Sequence, residues 1–152
     1  MKNISLKSIK KLVPGSKNLK ILMIATEAVP FAKAGGLGDV IHSLSLALRK
    51  QGQDVRVFIP YYGTIDRKEY KVVDEIEKLE VPTDQTENNP FLTCSVKKYI
   101  GRKAAPTYLL ENMEYYEKRA NVYGYADDHI RWILLCRGAL EFLKKSSWKP
   151  DV

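Results

Sequence analysis

The sequence predicts an α/β chain: a parallel sheet with flanking helices, extended by an excursion of further strands. Three observations predict it. Ile21-Leu22-Met23-Ile24-Ala25 is a continuous apolar run, the pattern of a strand buried on both faces of a parallel sheet. A glycine-bearing turn follows, Lys33-Ala34-Gly35-Gly36-Leu37-Gly38-Asp39-Val40, and then an amphipathic helix. Beyond the helix Asp54 precedes Val55-Arg56-Val57-Phe58-Ile59-Pro60, a second strand, so residues 19–60 form one βαβ unit with a right-handed crossover expected.

Taken in order, the elements have identifiable causes. Residues 1–18 form a basic leader, read as a solvated, flexible arm; Ser5 to Val13 has weak helical amphipathicity that Pro14-Gly15 interrupts. The helix after Gly38 is set by Val40, Ile41, Leu44, Ala47 and Leu48 at spacings of three and four. Arg49, Lys50 and Gln51 close its last turn, and Gly52 lies just beyond. Tyr70 to Val81 and Phe91 to Ile100 alternate imperfectly, Pro82 to Pro90 is a polar loop, and Pro106 to Leu110 reads as a strand. These form the β excursion before the parallel sheet resumes. From Asp127 the chain returns to helix, with Ile130, Ile133, Leu134, Leu140 and Leu143 on one broad packing face.

Composition bounds the function classes. A chain of 152 residues is one domain or less, and a domain of this size buries about 70% of its unfolded surface. No apolar run approaches the roughly 18 residues of a membrane span, and no secretory apolar segment appears, so no membrane partner is expected. Cys94 and Cys136 are isolated thiols in apolar-periodic segments without metal spacing; both read as reduced core cysteines of a cytoplasmic protein. The net charge of +7 raises the possibility of a polyanion-binding module. Its distribution argues otherwise: Lys2, Lys7, Lys10, Lys11, Lys17 and Lys20 stand in the first twenty residues with no acid, and the remainder is nearly neutral. No nucleic-acid partner is expected.

The glycine turn carries the chemistry. A strand that ends in such a turn and opens into a helix offers backbone N–H groups and the positive end of a helix dipole to an anion, most often phosphate. The dinucleotide fingerprint fails, because Ile41 stands where a third glycine belongs and the second strand ends in Pro60-Tyr61-Tyr62 without a ribose-binding acid. A Walker A loop fails too, since Lys33 precedes the glycines and Asp39 follows them.

Glu27-Ala28-Val29-Pro30-Phe31-Ala32-Lys33-Ala34-Gly35-Gly36-Leu37-Gly38-Asp39-Val40 resembles the N-terminal signature of bacterial glycogen synthases and plant starch synthases. The similarity continues through Gly52 to Tyr62, resumes at Tyr123-Gly124-Tyr125-Ala126-Asp127-Asp128, and includes Arg137-Gly138-Ala139-Leu140-Glu141. Residues 1–18 and about 66–100 lack a clear match. Ala34 stands where Thr is common in that motif, which removes a hydroxyl but leaves the backbone. Trp148-Lys149-Pro150-Asp151-Val152 is similar to the approach to the family's next strand.

The resemblance implies a retaining glucosyltransferase of the two-domain GT-B fold, with residues 19–152 as part of its Rossmann-like N-terminal domain. The intact enzyme would transfer glucose from ADP-glucose to the non-reducing end of an α-1,4-glucan, and the fragment alone is expected to be inactive. Another GT-B sugar-nucleotide glucosyltransferase, or a non-catalytic polyanion-binding module, is the alternative. The resemblance implies that Lys33 contacts the donor phosphate, that the Gly35-Gly36 backbone passes close to it, and that Asp39 borders the donor and acceptor sugars. An acid at that place in a helix is also an ordinary cap. Fixed positive charge is what a departing diphosphate requires. No cofactor is expected, and no metal site, since the chain lacks the Asp-x-Asp pattern of metal-dependent GT-A enzymes. Glu27 orients Lys33, binds sugar hydroxyls, or is only a solvated loop acid. Tyr61, Tyr62, Tyr123 and Tyr125 are candidates for stacking on glucan rings, against ordinary packing. His42 and His129 have no partner at triad or metal spacing and read as packing or surface residues.

Overall fold

The computed structural model describes residues 18–83 and 90–152. The basic leader and most of the Pro82 to Pro90 loop therefore lie outside the described residues. Five strands form one sheet: β1 (Lys20–Ile24), β2 (Asp54–Pro60), β3 (Val72–Pro82), β4 (Phe91–Tyr99) and β5 (Thr107–Glu111). Helix α1 (Gly36–Lys50) joins β1 to β2, and α2 (Asp128–Lys145) follows β5 after a single π-helical turn at Met113–Glu117.

The strand order is β1-β2-β5-β4-β3. β1, β2 and β5 run parallel, so the expected βαβ unit is present and the parallel sheet does resume at β5. The excursion does not leave the sheet. β3 and β4 are an antiparallel pair, and β4 joins antiparallel to β5, so they widen the sheet on that side. The imperfect alternation in β3 has a structural cause: its register against β4 shifts between Asp74 and Ile76 and again before Leu79, with Lys78 at φ 52°.

Two strands at the sheet centre hold the core. Val57, Phe58 and Ile59 of β2 and Tyr108, Leu109 and Leu110 of β5 are buried, as are Leu134, Leu135, Ala139 and Phe142 of α2. Phe142 wedges between Tyr108 and Phe58, with ring centroids 4.5 and 5.4 Å away. Burying one such ring is worth roughly 1.5 to 3 kcal/mol. Gly138 lets α2 come this close, because a Cβ there would lie 2.6 Å from the Leu110 side chain.

Several sequence expectations fail for one reason: periodicity identifies an apolar face but not whether a neighbour covers it. β1 is not buried on both faces; it is half-buried in the middle and exposed at both ends because, among the described residues, β2 alone flanks it as a full strand. On its other side only the last two residues pair with it, Leu22 N–H donating to the Val152 carbonyl at 2.9 Å and Val152 N–H to that of Lys20 at 3.2 Å. In α1, Val40, Leu44 and Ala47 form an exposed stripe with Leu37, while Gly38 and Ser45 face the protein. In α2, Ile133 and Leu140 are exposed, and the buried stripe runs through Arg131, Leu134, Leu135, Gly138, Ala139 and Phe142. Cys94 is buried as expected, but Cys136 is exposed on the same outward side of α2. His42 is half-buried and His129 exposed.

Candidate phosphate-binding site

The glycine turn lies beyond the carboxyl end of β1 and leads directly into α1. The helix begins at Gly36, ahead of the expected start after Gly38, with Gly35 as an extended N-cap residue that has no capping side chain. Asp39 is thus not the cap but a first-turn acid, where it faces the favourable end of the helix dipole. Gly38 sits in a tight place: a Cβ there would lie 3.2 Å from the Ala32 carbonyl oxygen, a close contact, and 3.6 Å from Val29, an ordinary one. Gly36 is different. A Cβ on it would meet nothing within 4 Å, so the protein's own packing does not demand a glycine, and the backbone is open to an approaching ligand.

Lys33 stands at the head of the turn with its Nζ 2.7 Å from Asp39 Oδ2, and both side chains are more than half exposed. An ion pair this exposed contributes at most about 1 kcal/mol, so the ammonium is readily redirected to a stronger anion. Glu27 is placed otherwise. It is 1% exposed, which removes the solvated-acid reading, and its Oε2 accepts hydrogen bonds from the backbone N–H groups of Ala34 and, at 3.0 Å, Gly35. It forms no ion pair with Lys33; the ammonium is on Asp39 instead.

A cleft of about 500 Å³ opens beside this turn, lined by Lys33, Ala34, Thr64, Asn121 and Tyr123 among others. Tyr123 is 40% exposed, and its hydroxyl shares a 2.5 Å hydrogen bond with Thr26 Oγ1. The Thr26 carbonyl in turn accepts from the Tyr62 hydroxyl at 2.7 Å, and burial pushes the Tyr62 hydroxyl well above its ordinary pKa, so it stays protonated as a donor. Tyr61 and Tyr62 are buried and present no ring for stacking, and Tyr125 lies against the guanidinium groups of Arg119 and Arg131. Of the four tyrosines, Tyr123 alone combines exposure with a place on the cleft.

The far wall, residues 120–123, is held by Arg131, which sequence reasoning missed. Its guanidinium is fully buried; Nε donates to the Tyr115 carbonyl and Nη1 to the Val122 carbonyl, each at 2.8 Å, and Nη1 is 2.6 Å from Asp128 Oδ1. The available signal was an arginine inside the apolar stripe of α2. Thr64 and Asn121 carried no signal. Among the described residues no group of three His, Cys, Asp or Glu side chains is placed to hold a metal ion. A groove of similar size along α2, lined by Arg137, Leu140 and Lys149, shares no residue with the glycine turn.

The starch synthase catalytic domain model matches residues 20–152. A glycogen synthase from Geotalea daltonii is 38% identical over 143 residues, covering 88% of this chain and 28% of its own length. One from Streptococcus agalactiae is 39% identical over 135 residues, again covering 88% of this chain and 27% of its own. The chain therefore spans little more than a quarter of the curated relatives it matches. Among solved structures, the catalytic domain of starch synthase IV from Arabidopsis thaliana, bound to ADP and acarbose, superposes with a TM-score of 0.77 at 27% identity, over 89% of this chain and 27% of that one. Matched by the family model over residues 20–152 and by relatives across 88% of its length, the chain belongs to the starch synthase catalytic domain family.

Proposed function

We propose that this chain supplies the donor-phosphate side of a retaining glucosyltransferase that moves glucose from ADP-glucose to the non-reducing end of an α-1,4-glucan, as the N-terminal part of a longer, cytoplasmic enzyme. One observation carries the reading: an exposed lysine, loosely held by Asp39, stands over an uncapped helix start whose Gly36 backbone is open for no internal reason. The relatives' names, and the ADP seen in the related Arabidopsis structure, support it.

In that transfer, negative charge grows on the diphosphate as its bond to glucose breaks. Lys33 would exchange Asp39 for the phosphate, and the N–H groups of the first turn of α1 would add donors fixed in place before the reaction. Asp39, released from the ammonium, would border the sugars.

The test is a donor panel of ADP-, UDP- and GDP-glucose with a glycogen primer on the full-length enzyme. The expected result is glucan elongation with ADP-glucose preferred. Transfer from none of the three refutes the reading, and a strong preference for UDP- or GDP-glucose moves the protein to another GT-B activity. The 152-residue chain alone is expected to be inactive, and ADP release coupled to elongation by it would overturn that part.

A further inference from the structure

We propose that Glu27 is a positioning residue, which holds the donor-phosphate turn in its receptive shape by bonding the backbone N–H groups of Ala34 and Gly35. The inference rests on the proposed function and deepens it. It replaces both earlier roles for this acid, sugar ligand and direct partner of Lys33.

The starting point is a buried acid beside a site meant for anions. A carboxylate removed from water is costly unless its oxygens are hydrogen-bonded, and a negative charge near a phosphate site opposes the ligand. Glu27 has 1% of its surface exposed and makes no ion pair with the adjacent lysine, yet its Oε2 takes two backbone donors in succession from the turn itself. Hydrogen bonds to an ionised acceptor are about twice as strong as neutral ones. Oε1 stays close as well, 3.5 Å from where a Gly35 Cβ would be.

Two consequences bear on the site. The amides of Ala34 and Gly35 are occupied internally, so the donors left to an incoming phosphate are those of the uncapped first turn, which starts at the next residue, Gly36. Lys33 is bonded directly to Ala34, so pinning the Ala34 N–H restricts where the lysine stem leaves the backbone. Glu27 thereby aims the ammonium through the main chain. The absence of any side-chain oxygen at Ala34 removes a competing way of fixing the turn.

The experiment compares wild type with Glu27→Gln, Glu27→Asp and Glu27→Ala in the full-length enzyme. Backbone hydrogen exchange of the turn peptide reports the hydrogen bonds without reference to activity. Steady-state kinetics report donor and acceptor separately. Gln keeps an acceptor oxygen at the same reach, so near wild-type protection and a loss of less than about tenfold in donor kcat/KM are expected. Asp keeps the charge but is one methylene short. It should resemble Ala, with exchange of the turn faster by on the order of tenfold and donor kcat/KM lower by on the order of 10²-fold, while the glucan KM holds.

Unchanged exchange in both Asp and Ala variants overturns the proposal, as does a shift confined to the glucan KM, which would make Glu27 a sugar ligand. If the Ala variant fails to fold, the Gln and Asp pair decides between reach and charge. A wild-type enzyme that transfers no glucose, yet shows the expected exchange pattern, refutes the proposed function and leaves the assignment of Glu27 to the turn standing.

Discussion

Replacing Arg131 by methionine tests whether the far wall of the cleft depends on one buried guanidinium. Methionine keeps most of the stem volume and removes the donors. Two carbonyl oxygens, on Tyr115 and Val122, then lose their partner, and the planar group over Tyr125 and Trp132, 5.0 and 4.6 Å from their ring centroids, disappears. A fully buried carbonyl left without a donor costs about 1 to 3 kcal/mol, and these two, in part-buried bonds, fall at the low end of that range. Asp128 is 24% exposed and recovers water, so its loss is small. One favourable term opposes these: guanidinium Nη2 is already buried without a partner, and removing it relieves that cost. The balance is a destabilisation of roughly 3 kcal/mol, the low end of what breaking a buried charged pair costs. At a urea slope of about 2 kcal/mol per molar, the midpoint should fall by about 1.5 M. Exchange of residues 115–123 should also quicken more than that of β2. A loss below about 1 kcal/mol, or exchange that rises evenly across the chain, would show that the wall is held by packing and not by this side chain.

Three further outcomes follow from the same geometry. Lys33→Ala in the full-length enzyme should lower kcat/KM for the donor by on the order of 10²-fold, with the melting temperature unchanged because the pair it breaks is exposed; equal kinetics would remove Lys33 from the site. Cys136 should react rapidly with a thiol reagent in the native protein, whereas Cys94, whose thiol burial pushes up to about 11, should react only on unfolding; two fast thiols would contradict the packing of β4. For Asp128, burial raises the carboxyl pKa, but the N–H groups of Gly124 and Tyr125 and the guanidinium of Arg131 outweigh it and the net shift is downward. A depressed folded value means stability present above the unfolded pKa of about 3.9 and lost as pH falls through the folded one; Asp128→Asn should flatten that acid limb in urea melts between pH 2 and 6, and an unaltered slope would refute the assignment.

The frame of the fold was legible because two different periods met at a glycine turn. Ile21 to Ala25, the helix after the turn and Val55 to Pro60 read as strand, helix and strand, and the structure has β1, α1 and β2 there. What sequence could not supply was the neighbour on each face. Leu44 and Ile41 are alike in type and adjacent in the periodic pattern, yet Leu44 is exposed and Ile41 packs against the core. Ile133 and Leu134 show the same split on α2. Hydrophobic type sets which residues gain from burial; the topology of the sheet sets which of them obtain it. Lys78 illustrates a further gap, since a bulge enters β3 at a lysine in the left-handed region where no glycine announces it.

At the site, the residues that lie close in sequence were visible and those that support them were not. Lys33, Gly36 and Asp39 fall within seven positions, and a motif read along the chain finds them together. Arg131 lies far along the chain from Lys33, and nothing in its neighbours predicts its bond to the carbonyl of Val122. Glu27 was visible as a residue and opaque as a role, because the same carboxylate serves a sugar hydroxyl, an ammonium or a peptide N–H equally well on paper. Its burial and its two amide bonds favour the last. Glu27 is 1% exposed, and its Oε2 takes two successive amides, which commits that oxygen to the turn. In this region a motif read along the chain groups Lys33, Gly36 and Asp39, and three dimensions are needed to find the buried carboxylate that bonds the turn's own amides.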